Sequence, residues 1–381
     1  MLVNGSHLTY CTNIHPAESW EEVRANLERF VVEVKARVSP DAPFGVGLRL
    51  SARAASELVG SRSRARLASP LGVLRRWLDE RGLYVFTING FPYGPFHGTP
   101  VKEQVYRPDW LEAERVEYTK RLADILIELL PDGVTGTIST VPGCFQARAP
   151  WNPGDAGDAG RAMASNLARC AEYLAQLERD TGKHLILALE PEPCCVMETL
   201  GQAVEFFERH ALDRRYLGVC LDACHAAVEF EQLGVALAQL RAANITIAKV
   251  QLGCGLRIAP VDAAAREALE PFAEGVYLHQ VVARSGSELV RYVDLPEALA
   301  DARAADEWRV HFHVPIFREH FGTLGSTQGD LAALLAEHRR MPISTHLEVE
   351  TYTWDVLPAE FRAEPIVDAV ARELAWVIER L

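Results

Sequence analysis

The chain lacks the short motifs that mark several large protein classes. None of its eight cysteines stands in a C-x-x-C pair, so a zinc knuckle has no support. The thiols are read as reduced, in a cytoplasmic protein. No G-x-G-x-x-G opens a first βα unit and no G-x-x-x-x-G-K-[ST] occurs, which leaves dinucleotide and P-loop folds without their fingerprints. No segment reaches the roughly 18 uninterrupted apolar residues of a membrane span, so no membrane insertion is expected. Residues 1–13 have neither a basic n-region nor a long apolar h-region, so no signal peptide is expected. Positive charge is also short: 39 Lys and Arg stand against 52 Asp and Glu, a net −13. Such a surface repels phosphate backbones, which excludes nucleic acid from the expected partners.

What is present is a long, ordinary globular composition. The chain has 381 residues, 49% hydrophobic and 24% charged, which excludes disorder, collagen and coiled coil. Length alone allows two or three domains, but no low-complexity linker divides the chain. One domain over residues 1–381 is therefore expected.

The hydrophobic period switches repeatedly between strand and helix. Strands are expected at 8–13, 44–50, 83–89, 133–140, 184–190, 217–222, 245–251, 308–316 and 343–350, with a hairpin over 276–293 whose arms flank Ala-Arg-Ser-Gly-Ser. Ser19-Trp-Glu-Glu22 fits a capping box, in which the Ser19 and Glu22 side chains satisfy orphan amides reciprocally. Helical spacing follows there and at 110–130, 161–180, 199–210, 226–242, 329–339 and 365–381. Alternating βα units imply a parallel sheet covered by helices. Strand number and even spacing favour α/β architecture of the (β/α)8 TIM-barrel kind, with the hairpin inserted late. Nine long strands is one too many, so either 308–316 or 245–251 is accessory. The richest loop, 151–160, lies between a strand and a helix.

Barrel active sites form at the C-terminal strand ends, and here those ends are polar. One strand finishes in Glu190-Pro-Glu192, another in Asp222-Ala-Cys-His225 and a third in Gln251. His311 and His313 share one face of a fourth, and His346, Glu348 and Glu350 share one face of the last. Carboxylate, imidazole and amide oxygen together suit a divalent ion such as Mn²⁺, Mg²⁺, Zn²⁺, Co²⁺ or Fe²⁺. The candidate ligands are Glu190, Asp222, Gln251, His313 and either Glu350 or Glu348. Glu350 is preferred because it lies as deep along its strand as Glu190 does. A cation with an open position polarises a carbonyl, and Glu190, Glu192, His225 or Glu350 could move the proton. Each has a plainer reading: Asp222 as a helix cap, Gln251 as a satisfied buried amide, His346 as a packed interior histidine.

The third βα loop, 89–106, is long and carries Tyr93, His97 and Lys102, with Arg107 just beyond. It reads as a substrate lid or as a plain cover. His15, Tyr93, His97, Arg107, His279 and Trp354 are the candidate substrate contacts. Ser326 and Thr327 precede a helix and could hold a phosphate, or simply form its N-terminal turn.

The runs Leu-Glu190-Pro, Gly-Val-Cys-Leu-Asp222-Ala-Cys-His225-Ala, Ala-Lys-Val-Gln251-Leu-Gly and Leu-Glu-Val-Glu350 resemble the xylose isomerase-like TIM barrels. That superfamily contains sugar isomerases, ketose 3-epimerases and endonuclease IV. The resemblance implies a Glu, Asp, His, Glu/Asp metal set, with Glu190, Asp222 and Glu350 or Glu348 as three members. Gln251 departs from the pattern, standing where the family has a histidine, unless His313 takes over. His225 corresponds to a D-x-x-H histidine that touches metal or substrate in relatives. The stretches around Asn89-Gly-Phe-Pro-Tyr and Thr345-His-Leu-Glu-Val-Glu-Thr-Tyr resemble the metabolite traffic EboE subfamily of these barrels. A metal-dependent sugar or sugar-phosphate isomerase or epimerase is expected, acting on a sugar-like molecule or a secondary-metabolite precursor. The alternatives are a metabolite-binding protein without turnover and a metal-dependent phosphoester hydrolase.

Overall fold

In a computed structural model, which describes residues 1–60, 69–149 and 157–381, two sheets share the strands. The first contains β1 (Leu2–Val3), β2 (Ser6–Tyr10), β3 (Phe44–Arg49), β4 (Leu83–Asn89), β5 (Gly136–Thr140), β6 (Leu185–Leu189), β7 (Leu217–Asp222) and β8 (Ile247–Leu252). Between β8 and the last strand the chain forms β9 (Cys254–Ile258), β10 (Val281–Ser285), β11 (Glu288–Tyr292), β12 (Glu307–Val314), β13 (His320–Phe321) and β14 (Leu324–Ser326). Finally β15 (His346–Val349) returns to the first sheet, whose order is β1-β2-β15-β8-β7-β6-β5-β4-β3. Apart from β1, which folds back antiparallel on β2, these strands run parallel. A Cys11–Gly47 bridge joins the two ends of the sheet. Thr9 Oγ1 reinforces it, donating to the Gly45 carbonyl at 2.7 Å and accepting from Gly47 N at 3.0 Å. The result is the expected (β/α)8 TIM barrel.

The barrel strands form where the sequence has short apolar runs. Leu-Ile-Leu-Ala-Leu of β6 is buried throughout, as a parallel strand covered on both faces must be. The Ser19–Glu22 capping box is present and opens the helix Trp20–Asn26. A second one, Thr199 with Gln202, opens Leu200–Arg209. The continuous helix expected over 226–242 is instead two, Ala223–Val228 and Leu233–Ala242. The chain breaks between them at Phe230, whose φ of 55° lies in the left-handed region. That conformation cannot continue a right-handed helix.

The inserted region is larger than the expected hairpin. The hairpin exists as β10–β11, but it is one edge of a six-stranded antiparallel sheet ordered β11-β10-β12-β9-β14-β13. The surplus strand is thereby identified. The 308–316 run belongs to β12 of this second sheet, while 245–251 supplies β8 of the barrel. Residues 151–156 of the 151–160 loop lie outside the described residues, and its last three open the helix Asp158–Thr181.

Candidate functional site

Three carboxylates meet at the C-terminal end of the barrel. Glu190 follows β6, Asp222 ends β7 and Glu350 follows β15. One oxygen of each lies within 4.8 Å of the others, and all three side chains are buried. Asp222 does cap the next helix, its Oδ1 accepting from the amides of Cys224 at 2.6 Å and His225 at 3.1 Å. Its Oδ2 has no hydrogen-bond partner among the described residues, and neither has Glu190 Oε2. Glu350 is held by two asparagines, one just after the neighbouring β2 and one at the end of β4: Asn13 Nδ2 donates to its Oε1 at 2.7 Å and Asn89 Nδ2 at 2.9 Å. Burial, then the charge of Asp222, pushes the Glu190 carboxyl well above the usual range, and burial with Glu190 beside it does the same to Glu350. Buried carboxylates this close repel one another unless a proton or cation intervenes. Oxygen donors with unpaired lone pairs fit a divalent cation.

Glu348 takes another role. It forms an ion pair with Lys249, both side chains fully buried. Burial, which would lower the Lys249 pKa, is outweighed by the Glu348 charge, and the ammonium is favoured. Gly47 is required beside them, because a Cβ there would run into the Glu348 carboxylate and come within 2.6 Å of the Tyr10 carbonyl oxygen. Gln251 lies level with Asp222 in the sheet register. Its Oε1 accepts from Cys220 Sγ at 3.0 Å and its Nε2 is unpaired among the described residues.

Histidines form the other half of the site. Both His311 and His313 of β12 face it, in keeping with the strand face they share. His225, in the first turn after β7, meets His311 with 3.0 Å between their Nε2 atoms, and His313 Nε2 lies 3.1 Å from that of His311. Burial keeps these imidazoles neutral, lowering His225 to about 4, holding His311 well below its usual value and shifting His313 the same way. Glu192 completes the group. Tyr106 Oη donates to its Oε1 at 2.7 Å, and burial raises its carboxyl to about 8. A carboxyl poised there exchanges protons near neutral pH.

A cavity of ≈ 50 Å³ opens onto Asn13, Asn89, Glu190, Glu192, His225, His311 and Glu350. Its opposite wall is apolar, with Phe91, Phe96, Val101, Val105, Tyr277 and Leu278. The 89–106 loop supplies much of this roof and is tied to the inserted region. Val101 N donates to the Val276 carbonyl at 2.8 Å, and Lys102 Nζ reaches the Tyr277 carbonyl at 2.6 Å and Asp294 Oδ2 at 2.7 Å.

The expected substrate contacts are not on this cavity. His15 is packed behind the wall, stacked on Phe30 with ring centroids 4.2 Å apart and 3.0 Å from Tyr10 Oη. Tyr93 and Arg107 line an outer groove beyond the roof, where Arg107 pairs with Glu112 at 2.6 Å. His97 packs edge-on against Phe96. His279 is fixed inside the inserted region, 2.8 Å from Glu274, and Trp354 is buried in the core. Instead Tyr106, Tyr277 and Tyr352 reach the cavity. His346 is indeed a packed interior histidine, 3.0 Å from Thr137 Oγ1. Ser326 and Thr327 hydroxyls are engaged internally by the Arg318 carbonyl at 2.8 Å and the Gly255 amide at 2.9 Å.

Asn13 and Asn89 are the residues the sequence reading missed. Each stands at the end of an expected strand, the position already singled out for Glu190 and Asp222, so the signal was there.

The chain belongs to the xylose isomerase-like TIM barrel family, whose sequence model matches residues 57–301. Among solved structures it is similar to a xylose isomerase-like TIM barrel protein from Mycobacterium smegmatis in complex with magnesium, at 11% identity, TM-score 0.53, covering 100% of this chain and 98% of that one. It is also similar to the probable 3-DHS dehydratase AsbF of Bacillus anthracis, at 14% identity and TM-score 0.49 over 97% of each chain. The 3-keto-D-glucoside 4-epimerase YcjR of E. coli, in apo form, matches at 16% identity and TM-score 0.45 over 98% of this chain and 97% of that one. No curated protein matches the chain. No helix among the described residues is long and apolar enough to cross a membrane, and all eight cysteines are free and buried.

Proposed function

We propose that this protein is a metal-dependent enzyme that moves a proton next to the carbonyl of a small sugar or sugar phosphate, as an isomerase or epimerase. The observation that carries the reading is the buried convergence of Glu190, Asp222 and Glu350, with Glu190 Oε2 and Asp222 Oδ2 lacking any hydrogen-bond partner among the described residues. These three residues would hold a divalent cation, which supplies polarisation of a carbonyl when bound. Glu192 lines the same cavity and titrates at about 8, so it is the proton carrier in this reading, oriented by Tyr106. His225 and His311, beside Glu192, face the substrate's oxygens or a cation.

A second reading has a specific observation behind it. The apolar roof of Phe91, Phe96, Val101 and Val105 suits a ligand with an apolar flank better than a fully hydroxylated ring. A metabolite-handling protein of the EboE type, binding a secondary-metabolite precursor without turnover, would need only that. Deuterium exchange separates the two. The chain is incubated in D₂O with Mn²⁺ and a panel of ketoses, aldoses and their phosphates, and solvent deuterium at carbon is read by mass spectrometry. Metal-dependent incorporation that falls roughly 10²–10⁴-fold in Glu192→Gln supports the enzyme. Tight binding of a panel member with no exchange supports the handover reading and overturns the first.

A further inference from the structure

The roof over the inner cavity is built in two halves with separate anchors. Its first arm, residues 90–96, is tied to the barrel. Ala52 N donates to the Tyr93 carbonyl at 2.8 Å, Arg49 Nη2 to the Gly94 carbonyl at 2.7 Å and Phe96 N to Glu18 Oε1 at 2.9 Å. The second arm, Lys102–Tyr106, is tied to the inserted region through Lys102 and to Glu192 through Tyr106. Among the described residues no hydrogen bond joins one arm to the other. Arg115 spans them only at the root of the loop, where Nη1 donates to the Phe91 carbonyl at 3.0 Å and Nε to the Pro108 carbonyl at 2.7 Å.

Above that root the halves meet through apolar side chains. Pro92 of the first arm and Val105 of the second line the inner cavity on one side and the outer groove on the other. Apolar contact is non-directional, so this seam parts without breaking a hydrogen bond. The two spaces it divides differ in size. The inner cavity is ≈ 50 Å³, whereas a cavity of about 150 Å³ is what one benzene takes. A whole sugar ring does not fit inside it while the seam is closed. The groove is ≈ 410 Å³, within the roughly 300–1,000 Å³ of ligand pockets. With the seam parted, the two spaces join and take a molecule longer than one sugar.

The walls indicate what kind of unit lies outside. Tyr93, Pro95 and Pro108 give the groove apolar faces, and Gln104, Glu112 and Glu114 bring an amide and two carboxylates. Apolar faces with a few polar groups match a ring of C–H and O–H groups. Carboxylates accept from hydroxyls and repel anions. Arg107 also lines the groove, but its guanidinium is paired with Glu112. On the inner cavity the cation is Lys102, whose Nζ is occupied by the Glu274 and Tyr277 carbonyls and Asp294. Among the described residues, neither space offers an unpaired Lys or Arg to a phosphate.

We propose that the outer groove is a second substrate subsite, which holds an uncharged glycosyl unit while the reacting unit of the same molecule enters between Pro92 and Val105 toward the carboxylates. The substrate is then a neutral disaccharide or glycoside and not a sugar phosphate. This rests on the isomerase or epimerase reading and narrows it.

The test is isothermal titration of the full chain, with Mn²⁺ present, against glucose, fructose, glucose 6-phosphate, maltose, cellobiose and lactulose. The expected result is a disaccharide that binds about 10–100-fold tighter than the monosaccharide at its reducing end, as one or two added hydrogen bonds and a packed ring face would give. Glucose 6-phosphate should bind no tighter than glucose. Gln104 and Glu114 are exposed, so Gln104→Ala/Glu114→Ala leaves the core untouched. That variant should lose about tenfold for the disaccharide and nothing for the monosaccharide. Equal binding of disaccharides and monosaccharides, tighter glucose 6-phosphate, an unaltered disaccharide constant in the variant, or no binder in the panel overturns the subsite. Deuterium exchange judges the underlying reading separately. Disaccharide binding without exchange keeps the subsite and removes the isomerase, and exchange on monosaccharides with no gain for disaccharides does the reverse.

Discussion

Lys249 and Glu348 form an ion pair inside the barrel, and neither side chain has any exposure to solvent. The pair lies on β8 and β15, two residues before Gln251 and Glu350, and gives Glu348 a partner other than a cation. Breaking such a pair leaves a buried charge uncompensated. Glu348→Gln is expected to destabilise the protein by about 3–5 kcal/mol in urea denaturation. Replacing both, Lys249→Met with Glu348→Leu, is expected to recover most of that loss. Divalent-ion content per folded chain should be unchanged in both. A fall in Mn²⁺ affinity in Glu348→Gln, with stability intact, would return Glu348 to the ligand set.

Asn13 and Asn89 fix the orientation of Glu350 through its Oε1. Their removal should act on metal binding more than on folding. Asn89→Ala is expected to weaken Mn²⁺ binding by roughly 10–100-fold, read by isothermal titration. Asn13→Ala should behave alike. An unaltered dissociation constant in both would mean that Glu350 needs no such positioning.

Away from the site, Glu373 gives a pH signature. It is buried in the last helix, Ile366–Ile378, accepting from Thr351 Oγ1 at 2.7 Å and Ile316 N at 3.1 Å. Burial raises its carboxyl to about 7, against about 4.3 for a free side chain. Between those values the folded chain binds more protons than the unfolded one, so stability is full below the lower value and declines as pH rises through about 7. The difference in pH slope between wild type and Glu373→Gln isolates this group. With EDTA in both samples, the variant should gain up to about 3 kcal/mol relative to wild type between pH 5 and pH 8. Parallel stability curves would show that Glu373 titrates normally.

Much of the barrel and part of the site were legible in the sequence, for identifiable reasons. Glu190 and Asp222 stand out because each ends an apolar run that a buried parallel strand requires, and Glu350 follows from strand depth. The inserted sheet was legible only as a hairpin. Its other strands are short, and two of them, β13 and β14, have two and three residues, too few to show a period. The 245–251 and 308–316 runs look alike because hydrophobic alternation reports burial and not the strand partner. The expected substrate contacts lie off the cavity for a related reason. Histidines and aromatics on a loop carry no signal of which way the loop folds, and here His15, His97 and His279 turn into packing while Tyr106, Tyr277 and Tyr352 turn toward the cavity.

The central claim is that Glu190, Asp222 and Glu350 hold a divalent cation. Electron paramagnetic resonance of Mn²⁺ titrated into EDTA-stripped protein tests it most directly, comparing wild type with Glu190→Gln/Glu350→Gln. The account predicts saturable Mn²⁺ binding in the wild type and its loss in the double variant, with circular dichroism unchanged. A double variant that binds Mn²⁺ as tightly as wild type, or a wild type that takes up none, would contradict it.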